Sequence, residues 1–287
     1  MKANIFYITV IAVLSGCVNN MSLDSEKAVI MAKLSLNPEY SPKVEDSYVP
    51  GNYGAYKDYF VSTDNLVGIS SSKLSPLDES RVFVYSGPTF ITETKASTSA
   101  SFVSSVNGMD LRPEVGAKSD NRDFKSLFGS DVSFSIESEV LTKTASENNE
   151  VSISLYVPEE IVITVPKVSS TKEMLPLCYY DGFQVHWNED SYNENGVLAI
   201  IEWTGDMVLG ADFPSTYIRR ICIFDDSGSG VLPRSMFEGI PDAAVCSLAL
   251  IRGVTDIVSV NGETCKLMAE SHEYMPFILV REIRNKR

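Results

Sequence analysis

Histidine is the scarcest reactive side chain here: two residues, His186 and His272, in a chain of 287. With no C-x-x-C pair among the cysteines, two imidazoles cannot complete a zinc site of the usual four ligands. A Ser-His-Asp triad would have to use one of these two, and no G-x-S-x-G elbow accompanies them. Basic residues are also short, 24 against 38 acidic ones, leaving a net charge of −14. That balance excludes a phosphate-reading surface, and with it nucleic acid as a partner. It argues equally against tight docking on anionic lipid. No stretch of the chain reaches the ~20 apolar residues of a membrane-spanning helix, and sustained helical periodicity is nearly absent.

What is present begins with residues 5–14 (IFYITVIAVL), ten apolar residues behind the single positive charge of Lys2. This is the length of a secretory h-region. It runs into Leu14-Ser15-Gly16-Cys17, which resembles the lipobox of bacterial lipoproteins: a branched aliphatic, two small residues, then cysteine. The resemblance implies cleavage after residue 16, a diacylated Cys17, and a membrane partner reached only through that lipid. Val18 follows the cysteine where aspartate would hold such proteins at the inner membrane. The expected location is therefore the outer membrane or the cell surface.

Four cysteines remain in the body: Cys178, Cys222, Cys246 and Cys265. An oxidising compartment would allow them three pairings. Cys246 alternates with Leu248 and Leu250, the pattern of a small apolar residue facing a core.

Residues 17–59 read as a lipidated start, a tether and an irregular lead-in, with residues 37–59 dense in Pro, Gly, Asp and Tyr. Beyond it the pattern is alternation. Strands are expected at 81–86 and 90–94, with a type I′ hairpin turn at Asn107-Gly108, because both central residues need positive φ. Residues 112–130 form a polar break, placing a boundary between a smaller domain at 60–125 and a larger one at 126–287. In the second half Val132, Phe134 and Ile136 alternate with serines. Val151 to Val157 alternate again, and Pro158 marks an edge strand or a change of sheet. Further strands are expected at 183–187, 197–203, 217–224, 244–252, 256–260, 264–268 and 275–281. Short strands at this cadence, broken by Gly, Asn and Pro, predict an all-β chain of tandem, Ig-like β-sandwich domains. The wording of the second half (YVPEEIVITVPK, VLPRSMFEGIP, LALIRG) resembles surface lipoproteins of Bacteroidetes-type bacteria. That likeness implies surface display and tandem sandwiches, and no reaction.

Candidate chemistry concentrates at residues 188–196 (NEDSYNENG). Ser191, Asn193, Asn195, Gly196 and Glu202 reproduce the EF-hand spacing except that serine replaces the leading aspartate. The following residues read as a strand rather than a helix, which would turn Glu202 away, so no metal is assigned. The plainer reading is a polar hairpin loop. Five aromatics lie close by, Tyr179, Tyr180, Phe183, Trp187 and Tyr192. Flat rings beside amides suit sugars, because a pyranose face stacks while amides take its hydroxyls. Alternation puts Phe183 and Trp187 in the core, which leaves Tyr180, Tyr192, Asn193 and Asn195 as candidate ligand-binding residues. Two carboxylate pairs, Asp225-Asp226 and Glu189-Asp190, meet the bare requirement of a glycosidase without a further sign of one. The expected function is a non-enzymatic, lipid-anchored binding or adhesion protein with no cofactor, its ligand a glycan or, next, a protein. The alternatives are a glycan-degrading hydrolase with a carboxylate pair, or a subunit of a fimbria-like assembly joined by strand donation.

Overall fold

A computed structural model describes residues 56–59, 61, 63, 65–88, 102–111, 122–138, 150–168, 175–180, 183–203, 218–260 and 262–281. The signal segment, Cys17 and the strand expected at 90–94 lie outside them. The described chain is all-β and sandwich-type. Its strands are β1 (Asn65–Lys73), β2 (Arg81–Pro88), β3 (Phe102–Val106), β4 (Met109–Asp110), β5 (Ser130–Ser138), β6 (Glu150–Val157), β7 (Ile163–Val165), β8 (Leu177–Tyr179), β9 (Phe183–Trp187), β10 (Val197–Trp203), β11 (Ile218–Phe224), β12 (Ser229–Leu232), β13 (Ala244–Val260) and β14 (Glu263–Val280). The helical elements with described bounds are one turn at Arg122–Lys125 and a 3-10 turn at Arg234–Phe237.

One long hairpin organises everything. β13 and β14 pair antiparallel over 17 register positions, from Ala244 opposite Leu279 to Val260 opposite Glu263. They form the middle of a large sheet ordered β11-β10-β13-β14-β1-β2, with β8 beside the far end of β14. Against one face of it, called here the front, lie two smaller sheets, β12-β9-β7 and β4-β3-β5-β6. The hairpin is long enough to serve both. Toward its chain-terminal end, Cys246, Leu248, Leu250, Met275, Phe277 and Leu279 build one core with Phe183, Val185 and Trp187 of β9. Toward its tip, Val260, Cys265, Leu267 and Ala269 build a second core with Val132, Phe134 and Ile136 of β5.

The sandwich pattern thus exists twice, on a shared sheet. A boundary at residue 125 or 126 runs through both layers: β1 pairs parallel with β14, and β3 pairs with β5. The polar break at 112–130 connects two strands of one sheet rather than separating two cores.

Asn107 and Gly108 take φ of 48° and 77° between β3 and β4, and Asn107 Oδ1 accepts the Ser133 amide at 2.8 Å. Pro158 marks a change of sheet: β6 ends at Val157 beside β5, and the chain crosses to β7, which pairs with β9.

That crossing has no strand partner, so its amides need other acceptors. They find them on a polar seam across the front face, between the two apolar cores. Ile161 N donates to Ser271 Oγ at 2.8 Å and Ile163 N to Glu273 Oε2 at 2.6 Å. Lys73 Nζ lies 3.2 Å from the other Glu273 oxygen, and Ser71 donates to Glu160. Side chains of β14 thus accept two of the amides here, and Asp190 and Asn188 accept those of Glu159 and Val162.

The back face of the large sheet is also covered. Leu198, Ile200, Ile221, Ala249 and Ile251 form an apolar cluster closed by Tyr56, whose hydroxyl donates to Gly196 O at 2.8 Å. Beside it sit charged groups: Glu202 paired with Arg219 at 3.3 Å, and buried Lys266, Glu270 and His272.

Candidate functional site

The loop at residues 188–196 joins β9 to β10, and its inner side is fixed by a buried ionic knot. Arg252, on β13, is wholly buried, with Nε 2.7 Å from Asp226 Oδ2. Its other nitrogens donate to Asp226 Oδ1 at 2.8 Å, to Glu159 O at 3.2 Å and to Asn188 O. Asp226 also accepts Trp187 Nε1 at 2.8 Å and Asn193 Nδ2 at 2.9 Å. One arginine and one aspartate thereby hold the loop, the crossing segment and the turn before β12 in a single arrangement. Gly196 completes the loop at φ 77°, where a Cβ would overlap the Phe224 carbonyl.

Asn193 is buried, and its amide also donates to Gly196 O at 2.7 Å. Asn195 is half-buried and donates to Gly253 O at 3.1 Å. Both amides are thus engaged within the fold. Trp187 and Phe183 are core residues, as their alternation predicts.

The outer side differs. Tyr192 is 77% exposed, its ring 5.9 Å from that of Tyr156 on β6. Asp190, itself buried, fastens the pair from beneath. It accepts the Tyr156 hydroxyl at 3.0 Å, the Tyr192 amide at 3.0 Å and the Glu159 amide at 2.9 Å. Partial burial and donation to Asp190 push the Tyr156 phenol up to about 12, so it stays a donor. Tyr156 went unnoticed in the sequence because its place in the alternating run of β6 made it look like any strand aromatic.

Tyr180 belongs elsewhere. Its amide donates to Val280 O, whereas Asn195 reaches Gly253, opposite Glu270 in the register. Ten residues of β14 separate those points, roughly 30 Å. Tyr180 and Tyr192 are not brought together. Tyr180 is buried, and its hydroxyl donates to Ile240 O.

The EF-hand-like spacing is not folded as a calcium loop. Residues 197–203 are strand β10, and Glu202 projects from its back face to Arg219. The buried members of both carboxylate pairs, Asp226 and Asp190, are the structural acceptors just described. His186 is half-buried on the outward side of β9, opposite Ser229 and Val165.

His272 makes the contact closest to catalytic geometry. Its Nε2 lies 2.9 Å from Ser70 Oγ, the spacing of a nucleophile and its base. Ser70 is wholly buried, however, and its hydroxyl also lies 3.2 Å from Glu270 Oε1. The far ring nitrogen faces the Tyr274 hydroxyl at 3.4 Å rather than a carboxylate. Burial lowers His272 to about 4 and raises Glu270 to about 7, as expected of ionisable groups sealed in low dielectric. This is a polar core, not an open site.

No family model, no curated protein and no solved structure matches the chain.

Proposed function

We propose that this is a non-enzymatic, lipid-anchored surface protein whose rim at Tyr192 and Tyr156 binds carbohydrate. The observation that carries the reading is an aromatic pair, exposed Tyr192 on the loop and Tyr156 beside it on β6, locked from beneath by buried Asp190 and Asp226. A site built this way loses little conformational entropy when a ligand arrives. Tyrosines give a pyranose a flat apolar surface together with a hydroxyl. The amides of Asn193 and Asn195 stiffen the rim rather than face the ligand. Anchoring rests on Cys17 and the lipobox, and places the body at the outer membrane or cell surface. The test is an immobilised glycan array probed with the full chain and with Tyr192→Ala. Glycans retained by the native chain and lost by the variant support the reading; an array with no retained glycan opposes it.

A further inference from the structure

A strip of acids and hydroxyls runs along β5 and β6 away from the tyrosine pair. The core takes Val132, Phe134 and Ile136 from β5 and Val151, Ile153 and Leu155 from β6, so the residues between them point outward. Outward stand Asp131, Ser133, Ser135 and Glu137, opposite Tyr156, Ser154, Ser152 and Glu150 in register. All but Ser135 and Tyr156 are exposed. Resting on the carbohydrate reading above, we infer that this face continues the rim and binds a glycan chain bearing protonated amines, of poly-glucosamine type.

Charge decides the ligand class. Neither strand places a base on this face among the described residues, and no cation there pairs with Asp131, Glu137 or Glu150. Glu137 stands directly opposite Glu150, an arrangement in which like charges repel. Glu150 has only a neutral neighbour, Ser135 Oγ, donating at 3.3 Å. At the other end Asp131 lies opposite Tyr156. Exposed Glu194 follows Tyr192 by two residues, and exposed Glu159 hangs from the same Asp190 that fastens Tyr156. Those two carboxylates have no cation partner among the described residues either.

An ammonium group seated between Glu137 and Glu150 relieves their repulsion. Over the exposed face of Tyr192 it meets the negative side of the ring quadrupole. Serine hydroxyls both donate and accept, which suits the hydroxyls of a sugar chain. From Asp131 to Glu137 the strip is about 20 Å long, room for several rings rather than one. A uronate or sulfated glycan would meet the same carboxylates with the wrong sign.

The experiment is calorimetric titration of the full chain in detergent, at physiological ionic strength and mildly acidic pH, where sugar amines are protonated. The probes are tetramers of glucosamine, N-acetylglucosamine and galacturonate, with tetralysine as a bare cation. The glucosamine tetramer should bind saturably and about tenfold or more tighter than the N-acetylated one, and galacturonate not at all. Glu137→Gln together with Glu150→Gln should cost the glucosamine tetramer about tenfold and leave the N-acetylated one unchanged. Glu238→Gln, which removes one charge at the Tyr180 end, should keep native affinity. The substituted carboxylates are exposed, so these variants should melt with the native chain; if the double variant misfolds, Asp131→Asn decides. N-acetylated tetramer bound as tightly as the free amine, and lost in Tyr192→Ala, would overturn this inference and leave the rim standing. Equal affinity for tetralysine, native affinity in the folded double variant, or the same loss in Glu238→Gln would also overturn it. Glucosamine binding that needs Glu137 and Glu150 but survives Tyr192→Ala would support the amine ligand and sink the rim alone.

Discussion

Arg252 and Asp226 form a two-point ion pair with both side chains closed off from solvent, Nε to Oδ2 at 2.7 Å and Nη2 to Oδ1 at 2.8 Å. They come from β13 and from the turn before β12, and the loop at 188–196 is fastened to both. Removing one partner of such a pair strands the other charge in a poor dielectric, at a cost of about 3–5 kcal/mol. Asp226→Ala should therefore destabilise the fold by that amount in urea denaturation. It also strips the acceptor from Trp187 Nε1, so native tryptophan emission should shift. A change within about 0.5 kcal/mol, the range of ordinary surface substitutions, would mean the knot is ornamental.

The four body cysteines are all buried free thiols, spread over both cores. Burial pushes the thiols up, those of Cys222 and Cys265 to about 12, so little reactive thiolate forms at neutral pH. Without reductant, Ellman's reagent should leave the four unmodified in the folded chain and titrate all four after denaturation. Two fewer thiols would reveal a disulfide.

On the back face, Glu270 and His272 share Ser70 as a neighbour, with Lys266, Tyr59, Tyr85 and Tyr274 around them. Glu270 is raised from 4.5 to about 7, so its neutral form is favoured; that stabilisation is complete below 4.5 and is lost as pH climbs to 7. His272 is lowered from 6.5 to about 4, so its contribution is present above 6.5 and is lost as pH falls toward 4. Lys266, lowered to about 8, changes nothing in that window. The two slopes oppose one another between pH 6.5 and 4.5. Relative to the native chain, Glu270→Gln should lose about 1–3 kcal/mol on acidification across this window, and His272→Gln should gain a comparable amount. Parallel stability curves for all three proteins would refute this pairing.

Sequence patterning revealed the strands whose buried residues are apolar and concealed those whose buried residues are polar. β5, β9 and β10 were legible because core residues alternate with polar ones or run unbroken. β13 and β14 read as four strands, with breaks at residues 253–255 and 269–274. The second break is where the polar seam and the buried back-face cluster meet: Ser271 and Glu273 on one side, Glu270 and His272 on the other. β1 went unseen for the same reason, its serines being consumed by Glu160, Glu270 and His272. Polar residues that bond one another across strands are indistinguishable, in one dimension, from a loop. In the rim, Tyr192 and the core role of Trp187 were legible, whereas Tyr156 and the wide separation of Tyr180 depend on register alone.

Anchoring has its own test. Cys17→Ser should abolish acylation and leave uncleaved precursor or a soluble form in detergent partitioning. A variant that still partitions like the native chain contradicts the lipobox.

The central claim is that the loop at 188–196 has a structural inside and a binding outside. Its most direct measurement pairs the melting temperature with affinity for the strongest array glycan in two variants. Tyr192→Ala should weaken that affinity about tenfold or more and leave melting nearly unchanged, because an exposed ring buries little on folding. Asn193→Ala removes a buried amide from Gly196 O and Asp226, so it should cost about 1–3 kcal/mol of stability. Native affinity in a folded Tyr192→Ala protein would contradict the account.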